Sequence, residues 1–265
     1  MSIIMYDQET TYYEESGVGE PLIFIHGVGL DHAMWKQQVQ SLSKYYRVIS
    51  YDLLGHGGSS HPPSPYSLSQ FVEQLANLVD ELQLEKFNLV GFSMGGMVAQ
   101  SYTLLFPDTV KTLTIMNSVA NRTSEQRASI LARVEDLRQY GPRATIEPAI
   151  QRWFNDEFQE QQKQIVADVR KRLEMNNAES YMAAYTLFAT ADEELWNQLH
   201  KIAVPALIIT GELDVGSTPK MSNQIHEKIK GSELLIVPET RHMLPVEKPD
   251  IINKAIHEFI NNHKS

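Results

Sequence analysis

The 265-residue chain contains no cysteine. Disulfides, a thiol nucleophile and thiolate-held metals are thereby excluded. No apolar run approaches the roughly 20 residues that cross a bilayer, so no membrane partner is expected. Positive charge is scarce as well. Lys and Arg number 23 against 33 Asp and Glu, a formal net charge of −10. A surface of that sign repels a phosphate backbone, so no nucleic-acid partner is expected. Met1 to Asp7 shows neither a basic stretch nor an apolar core of the kind that makes a signal peptide, and a cytoplasmic location is expected. Internal repeats and low-complexity tracts are missing too. What remains is a chain 42% hydrophobic, enough to build the core of one large domain or two small ones.

The apolar residues fall into short runs. Thr10 to Glu14 is β-prone and stops at Ser16-Gly17. Leu22-Ile23-Phe24-Ile25 is all apolar, as a strand buried on both faces requires, and it leads into His26-Gly27-Val28-Gly29. Tyr46 to Tyr51 reads as a strand that opens into Asp52-Leu53-Leu54-Gly55-His56-Gly57. From Leu68 to Leu84, apolar positions 68, 71, 72, 75, 78, 79 and 82 follow helical spacing. Phe87 to Val90 and Val110 to Met116 are strands on either side of a helix ended by Pro107. This alternation calls for a mostly parallel twisted sheet with helices on both faces. It breaks after Asn117. Residues from about 120 to 200 carry helical periodicity and no convincing strand, with breaks expected at Gly141-Pro142 and at Pro148. It resumes with a strand at Val204 to Thr210, a helix from about 218 to 229, a strand at Leu234 to Val237 and a last helix from about 249 to 262. Residues 1–119 and 201–265 are therefore expected to form an α/β core, with 120–200 inserted as a helical cap.

Gly91-Phe92-Ser93-Met94-Gly95 sits between a strand and a helix. The bare G-x-S-x-G pattern arises by chance in roughly one chain in ten of this length, so its context carries the argument. A sharp turn there holds the serine hydroxyl out of the sheet's C-terminal edge, and glycines stand where side chains would collide as strand and helix cross. Asp214 ends a late strand, and His242 follows the last strand. Ser93, Asp214 and His242 thus meet the needs of nucleophilic acyl transfer. An imidazole takes the hydroxyl proton, and a carboxylate holds that imidazole in the right tautomer. The backbone N–H of Met94, at a helix N-terminus, and that of Val28, in the glycine turn, are the expected oxyanion donors. Among the other histidines, His26 and His56 read as hydrogen-bonded scaffold. His61, His226, His257 and His263 read as surface residues.

Together, His26-Gly27-Val28-Gly29, Asp52-Leu53-Leu54-Gly55-His56-Gly57, Gly91 to Gly96, Gly211-Glu212-Leu213-Asp214 and Arg241-His242 resemble the α/β-hydrolase superfamily. Within it, Gly95 to Gln100, Met116-Asn117-Ser118, Arg152-Trp153-Phe154 and the stretch from Tyr181 to Ala191 make the chain most similar to the 3-oxoadipate enol-lactonase and carboxylesterase group. Many relatives carry a residue other than arginine where this chain has Arg241. The resemblance implies an α/β-hydrolase fold and hydrolysis of a small carboxylic ester or lactone through an acyl-enzyme on Ser93. It calls for no cofactor and no metal. C–C bond hydrolysis of ring-cleavage products uses the same triad and is the enzymatic alternative. A non-catalytic ligand-binding receptor on the same fold is the alternative from another class. In the cap, Trp153, Tyr185 and Phe188 are expected to face the substrate. Arg152, beside Trp153, is expected to bind a substrate carboxylate, and Asn117 to reach the pocket from its strand end. Monomer and homodimer both fit the sequence.

Overall fold

Eight strands form one sheet in the computed structural model, which describes residues 2–264. In chain order the first elements are β1 (Ser2–Tyr6), β2 (Glu9–Ser16), β3 (Glu20–Ile25), α1 (Lys36–Leu42), β4 (Tyr46–Tyr51), α2 (Leu68–Glu81), β5 (Phe87–Phe92), α3 (Met94–Leu105) and β6 (Val110–Met116). Then come α4 (Ser124–Tyr140), α5 (Pro142–Trp153), α6 (Asp156–Gln161), α7 (Lys163–Glu174), α8 (Ala178–Thr190) and α9 (Asp192–Trp196). The chain closes with β7 (Ala206–Gly211), α10 (Pro219–Lys228), β8 (Glu233–Val237), α11 (Leu244–Glu247) and α12 (Pro249–Asn262). The strand order is β1-β2-β4-β3-β5-β6-β7-β8. From β4 to β8 every neighbouring pair is parallel, and β1 and β2 are antiparallel.

The all-apolar strands are all-apolar because both faces are covered. Along β3, Ile23 and Ile25 enter the core on the side of α2 and α3. Leu22 and Phe24 enter the opposite core with Trp35, Leu42 and the α12 residues Ile256 and Phe259. The period of two along a strand makes this division. Ser67 starts α2 through a reciprocal capping box with Gln70, and Thr123 starts α4 in the same way with Gln126.

Two features differ from the sequence reading. Strand β1 was not expected. It pairs with β2 across a two-residue turn at Asp7 and Gln8, with φ of 43° and 72°. That turn usually announces itself by glycine or asparagine, and here it has neither. Pro148 does not break a helix. It lies inside α5, which runs unbroken to Trp153. Its ring removes one backbone hydrogen bond, but Ile146, Ala149 and Ile150 stay buried and α5 packs on α4, α7 and α8. The break is at Gly141, where φ is 76°.

Candidate active site

Ser93 follows β5 and precedes α3, with φ 55° and ψ −116°. A non-glycine residue in that region is strained, so the surroundings must hold it there. They do so by close approach. A Cβ on Gly95 would run into the carbonyl oxygens of Ile25 and His26, and one on Gly91 would meet the Gly95 carbonyl. Ser93 N–H donates to Met116 O at 2.8 Å.

Asp214 lies past the end of β7, buried, with all its lone pairs engaged. Oδ1 accepts the N–H groups of Gly216 (2.8 Å) and Ser217 (2.9 Å). Oδ2 accepts the His242 Nδ1–H (2.7 Å) and the Asn117 Nδ2–H (2.8 Å). Burial alone would raise this carboxyl. The charge and hydrogen bond of His242, the amide of Asn117 and the Ser217 N–H outweigh it and hold the group below the ordinary 3.8. An ionised Asp214 fixes the proton of neutral His242 on Nδ1 and leaves Nε2 as an acceptor. The His242 ring packs between Phe92 (centroids 4.9 Å apart) and Trp153 (5.9 Å).

The glycine turn after β3 is stapled to the turn after β4 by two buried imidazoles. His26 Nδ1–H donates to Gly27 O, and its Nε2 accepts the Leu53 N–H. His56 Nδ1–H donates to Leu54 O, and its Nε2 accepts the Gly29 N–H. Both imidazoles therefore serve as neutral groups. Burial pushes His56 down to about 3. Leu30 N–H donates to Gly27 O at 3.2 Å, and no acceptor among the described residues takes the Val28 N–H. Met94 is the first residue of α3, where an N–H has no partner within the helix.

One cavity joins these parts to the helices between β6 and β7. Val28, Ser93, Asp214 and His242 line it from the sheet edge. Arg152, Trp153, Tyr185 and Phe188 line it from the helices, with Arg122, Arg133 and Tyr181. Asn117 does not line it, contrary to the sequence reading. Its side chain is fully buried and is spent on the hydrogen bond to Asp214 Oδ2, with the backbone in the left-handed region at φ of 46°. The signal for that role was absent from the local sequence, since the partner is 97 residues away.

The arginines differ in what they are free to do. Arg122 is held by buried Asp192 at 2.7 Å and lies over the Phe188 ring. Arg133 donates to Ser129 O, and the guanidinium of half-buried Arg152 makes no hydrogen bond among the described residues. Among the described residues no carboxylate comes within 4.0 Å of either guanidinium. Burial, then the like charge of Arg133, bias Arg152 against its charged form. An anion in the cavity would reverse that bias. Among the described residues no group of three or more His, Cys, Asp or Glu side chains is placed to hold a metal ion.

A family model described as alpha/beta hydrolase fold matches residues 20–249. The (E)-2-((N-methylformamido)methylene)succinate hydrolase of Acinetobacter baylyi is 34% identical over 96% of this chain and 95% of its own length. The 3-oxoadipate enol-lactonase 2 of the same organism is 32% identical over 89% of this chain and 86% of its own. Among solved structures, the enol-lactonase from Burkholderia xenovorans LB400 superposes with a TM-score of 0.92 at 26% identity, covering 98% of this chain and 100% of that one.

Proposed function

This chain belongs to the α/β-hydrolase family, and from that membership we propose that it is a serine hydrolase cleaving a small ester or lactone that carries a carboxylate. Ser93 Oγ attacks the acyl carbon while His242 Nε2 takes its proton. The N–H groups of Val28 and Met94 receive the developing oxyanion. As the acyl–oxygen bond breaks, the imidazolium returns the proton to the leaving oxygen. Water, activated by the same imidazole, then attacks the acyl-enzyme and frees Ser93. Asp214 keeps His242 in the working tautomer throughout. The helices α4 to α9 act as a cap that selects the substrate.

The observation that carries this reading is one cavity holding both Ser93 and an arginine without a carboxylate partner among the described residues, Arg152. The relatives support it, since their names describe a succinate and an oxoadipate enol-lactone. The first of those names also contains a formamido group, which favours a second reading with the same nucleophile and an amide acyl group. C–C bond hydrolysis of a ring-cleavage product remains a third use of the same triad.

The test is a matched pair of activated esters, 4-nitrophenyl hexanoate and mono-4-nitrophenyl adipate, beside lactones, amides and ring-cleavage products. Ser93→Ala should lower turnover on the order of 10⁶-fold, as loss of a serine nucleophile does in other triads. Equal turnover by the variant would overturn the nucleophile, and no turnover by the wild type on any of these would favour a receptor. Arg152→Ala should abolish most of the preference for the adipate ester. A preference that survives would remove Arg152 from substrate binding.

A further inference from the structure

The exit of α5 is bound to the loop that carries His242 by an unusual density of polar contacts. A helix leaves its last carbonyls without partners, and a glycine turn or solvent commonly takes them up. Here the histidine loop does so. Arg241 Nη1 donates to Gln151 O at 2.7 Å and to Phe154 O at 2.9 Å. It also lies 3.2 Å from Asp156 Oδ1. Met243 N–H donates to Trp153 O at 2.9 Å. A cation at this end also meets the negative pole of the helix.

A buried carboxylate ties the two segments a second time. Glu247, in α11, accepts the Asn155 N–H on Oε1 (2.8 Å) and the Arg241 N–H on Oε2 (2.9 Å). One oxygen therefore holds the chain leaving α5, and the other holds the residue before His242. The Asn155 side chain adds a bond to Glu239 O at 3.0 Å.

Between the anchored carbonyls of residues 151 and 154 sit Arg152 and Trp153. Both line the cavity, and the Trp153 ring lies against His242. Apolar packing alone tolerates sliding. Hydrogen bonds to three backbone carbonyls within one turn, those of Gln151, Trp153 and Phe154, do not, because they weaken steeply with distance and angle. We propose that Arg241 and Glu247 are positioning residues that lock the Arg152-Trp153 end of α5 in register with His242. Recognition of the substrate's carboxylate and proton transfer are thereby set by one rigid unit. The inference rests on the reading that Arg152 receives that carboxylate.

The experiment combines kinetics with hydrogen exchange on the full chain. In Arg241→Ala, the ratio of kcat/KM for mono-4-nitrophenyl adipate to that for 4-nitrophenyl hexanoate should fall about tenfold, through the KM of the adipate ester, as a displaced positioning group implies. Combined with Arg152→Ala, the loss should stay within about threefold of Arg152→Ala alone, because both act through one contact. Arg241→Lys, which keeps a charged donor, should recover part of the ratio. Amides of residues 152 to 158 should exchange faster in Arg241→Ala, and those of β5 and β6 should not. Losses that multiply in the double variant overturn the proposal, as does an equal loss on both esters matched by a lower Tm. Unchanged exchange at residues 152 to 158 overturns the lock whatever the kinetics show. If Arg152→Ala leaves the adipate KM unchanged, the carboxylate reading fails, and the exchange data then decide the lock by themselves.

Discussion

Asp214 shows at the scale of one residue how a buried carboxylate is kept ionised. Four donors converge on its two oxygens, and two of them are the backbone N–H groups of Gly216 and Ser217. The fourth, the Asn117 amide, shares Oδ2 with the imidazole. Asn117 stands at a left-handed backbone position, which asparagine tolerates better than most residue types. Asn117→Gly keeps that backbone and removes only the amide. A hydrogen bond to a charged group contributes about 1.5–3 kcal/mol, so kcat should fall at least about tenfold. KM should barely move, because Asn117 does not line the cavity. A steady-state comparison checks this, and a change confined to KM would mean that Asn117 touches substrate after all.

At the scale of the element, the strand-turn-helix of β5 and α3 is packed without slack. The Gly95 backbone lies against the carbonyls of Ile25 and His26, at the mouth of the glycine turn that presents Val28. Gly95→Ala should therefore cost about 3 kcal/mol or more, since backbone cannot yield as a side-chain tip does. Chemical denaturation measures this. A loss under 1 kcal/mol, on the order of an ordinary surface change, would show that the turn can relax. The same logic explains why α5 survives Pro148 while Gly141 ends α4. One missing hydrogen bond is offset by three buried apolar contacts, but a φ of 76° cannot belong to a helix.

At the scale of the whole molecule, the ion pair of His32 and Asp52 links the turn after β3 to the end of β4. Burial opposes charge on both. Even so, the Asp52 hydrogen bond and charge raise His32 above 6.5, and His32 together with the N–H groups of Gly58 and His32 holds Asp52 below 3.8. An imidazole raised on folding stabilises fully below its unfolded value and loses that stability as pH rises through its folded value. A depressed carboxyl stabilises above its unfolded value and loses that as pH falls through its folded value. The two conditions overlap between pH 3.8 and 6.5. In that window His32→Gln should lower Tm most, by about 3 °C. The gap should close on the alkaline side, and thermal melts across pH would show it. A gap that widens there would mean that His32 acts through packing and not through charge.

The sequence by itself determined the alternation of elements, because runs such as Leu22 to Ile25 can be buried on two faces only as central parallel strands. It also placed Ser93, Asp214 and His242, each just past an apolar run, and it picked Arg152, Trp153, Tyr185 and Phe188 from the helices that line the cavity. These are local signals, periodicity and turn chemistry, which a few neighbouring residues express. Strand β1 escaped because its turn uses Asp7 and Gln8. Asn117 was assigned to the pocket because a strand end says where a residue lies and not where its side chain points. Tertiary structure alone decided that Asn117 braces Asp214, that Arg122 is committed to Asp192 while Arg152 has no such partner, and that Arg241 and Glu247 join α5 to the His242 loop. Each of these depends on contacts between residues 70 to 97 positions apart. Charges and amides carry no mark of their partner until the sheet and the helices above it bring the two together.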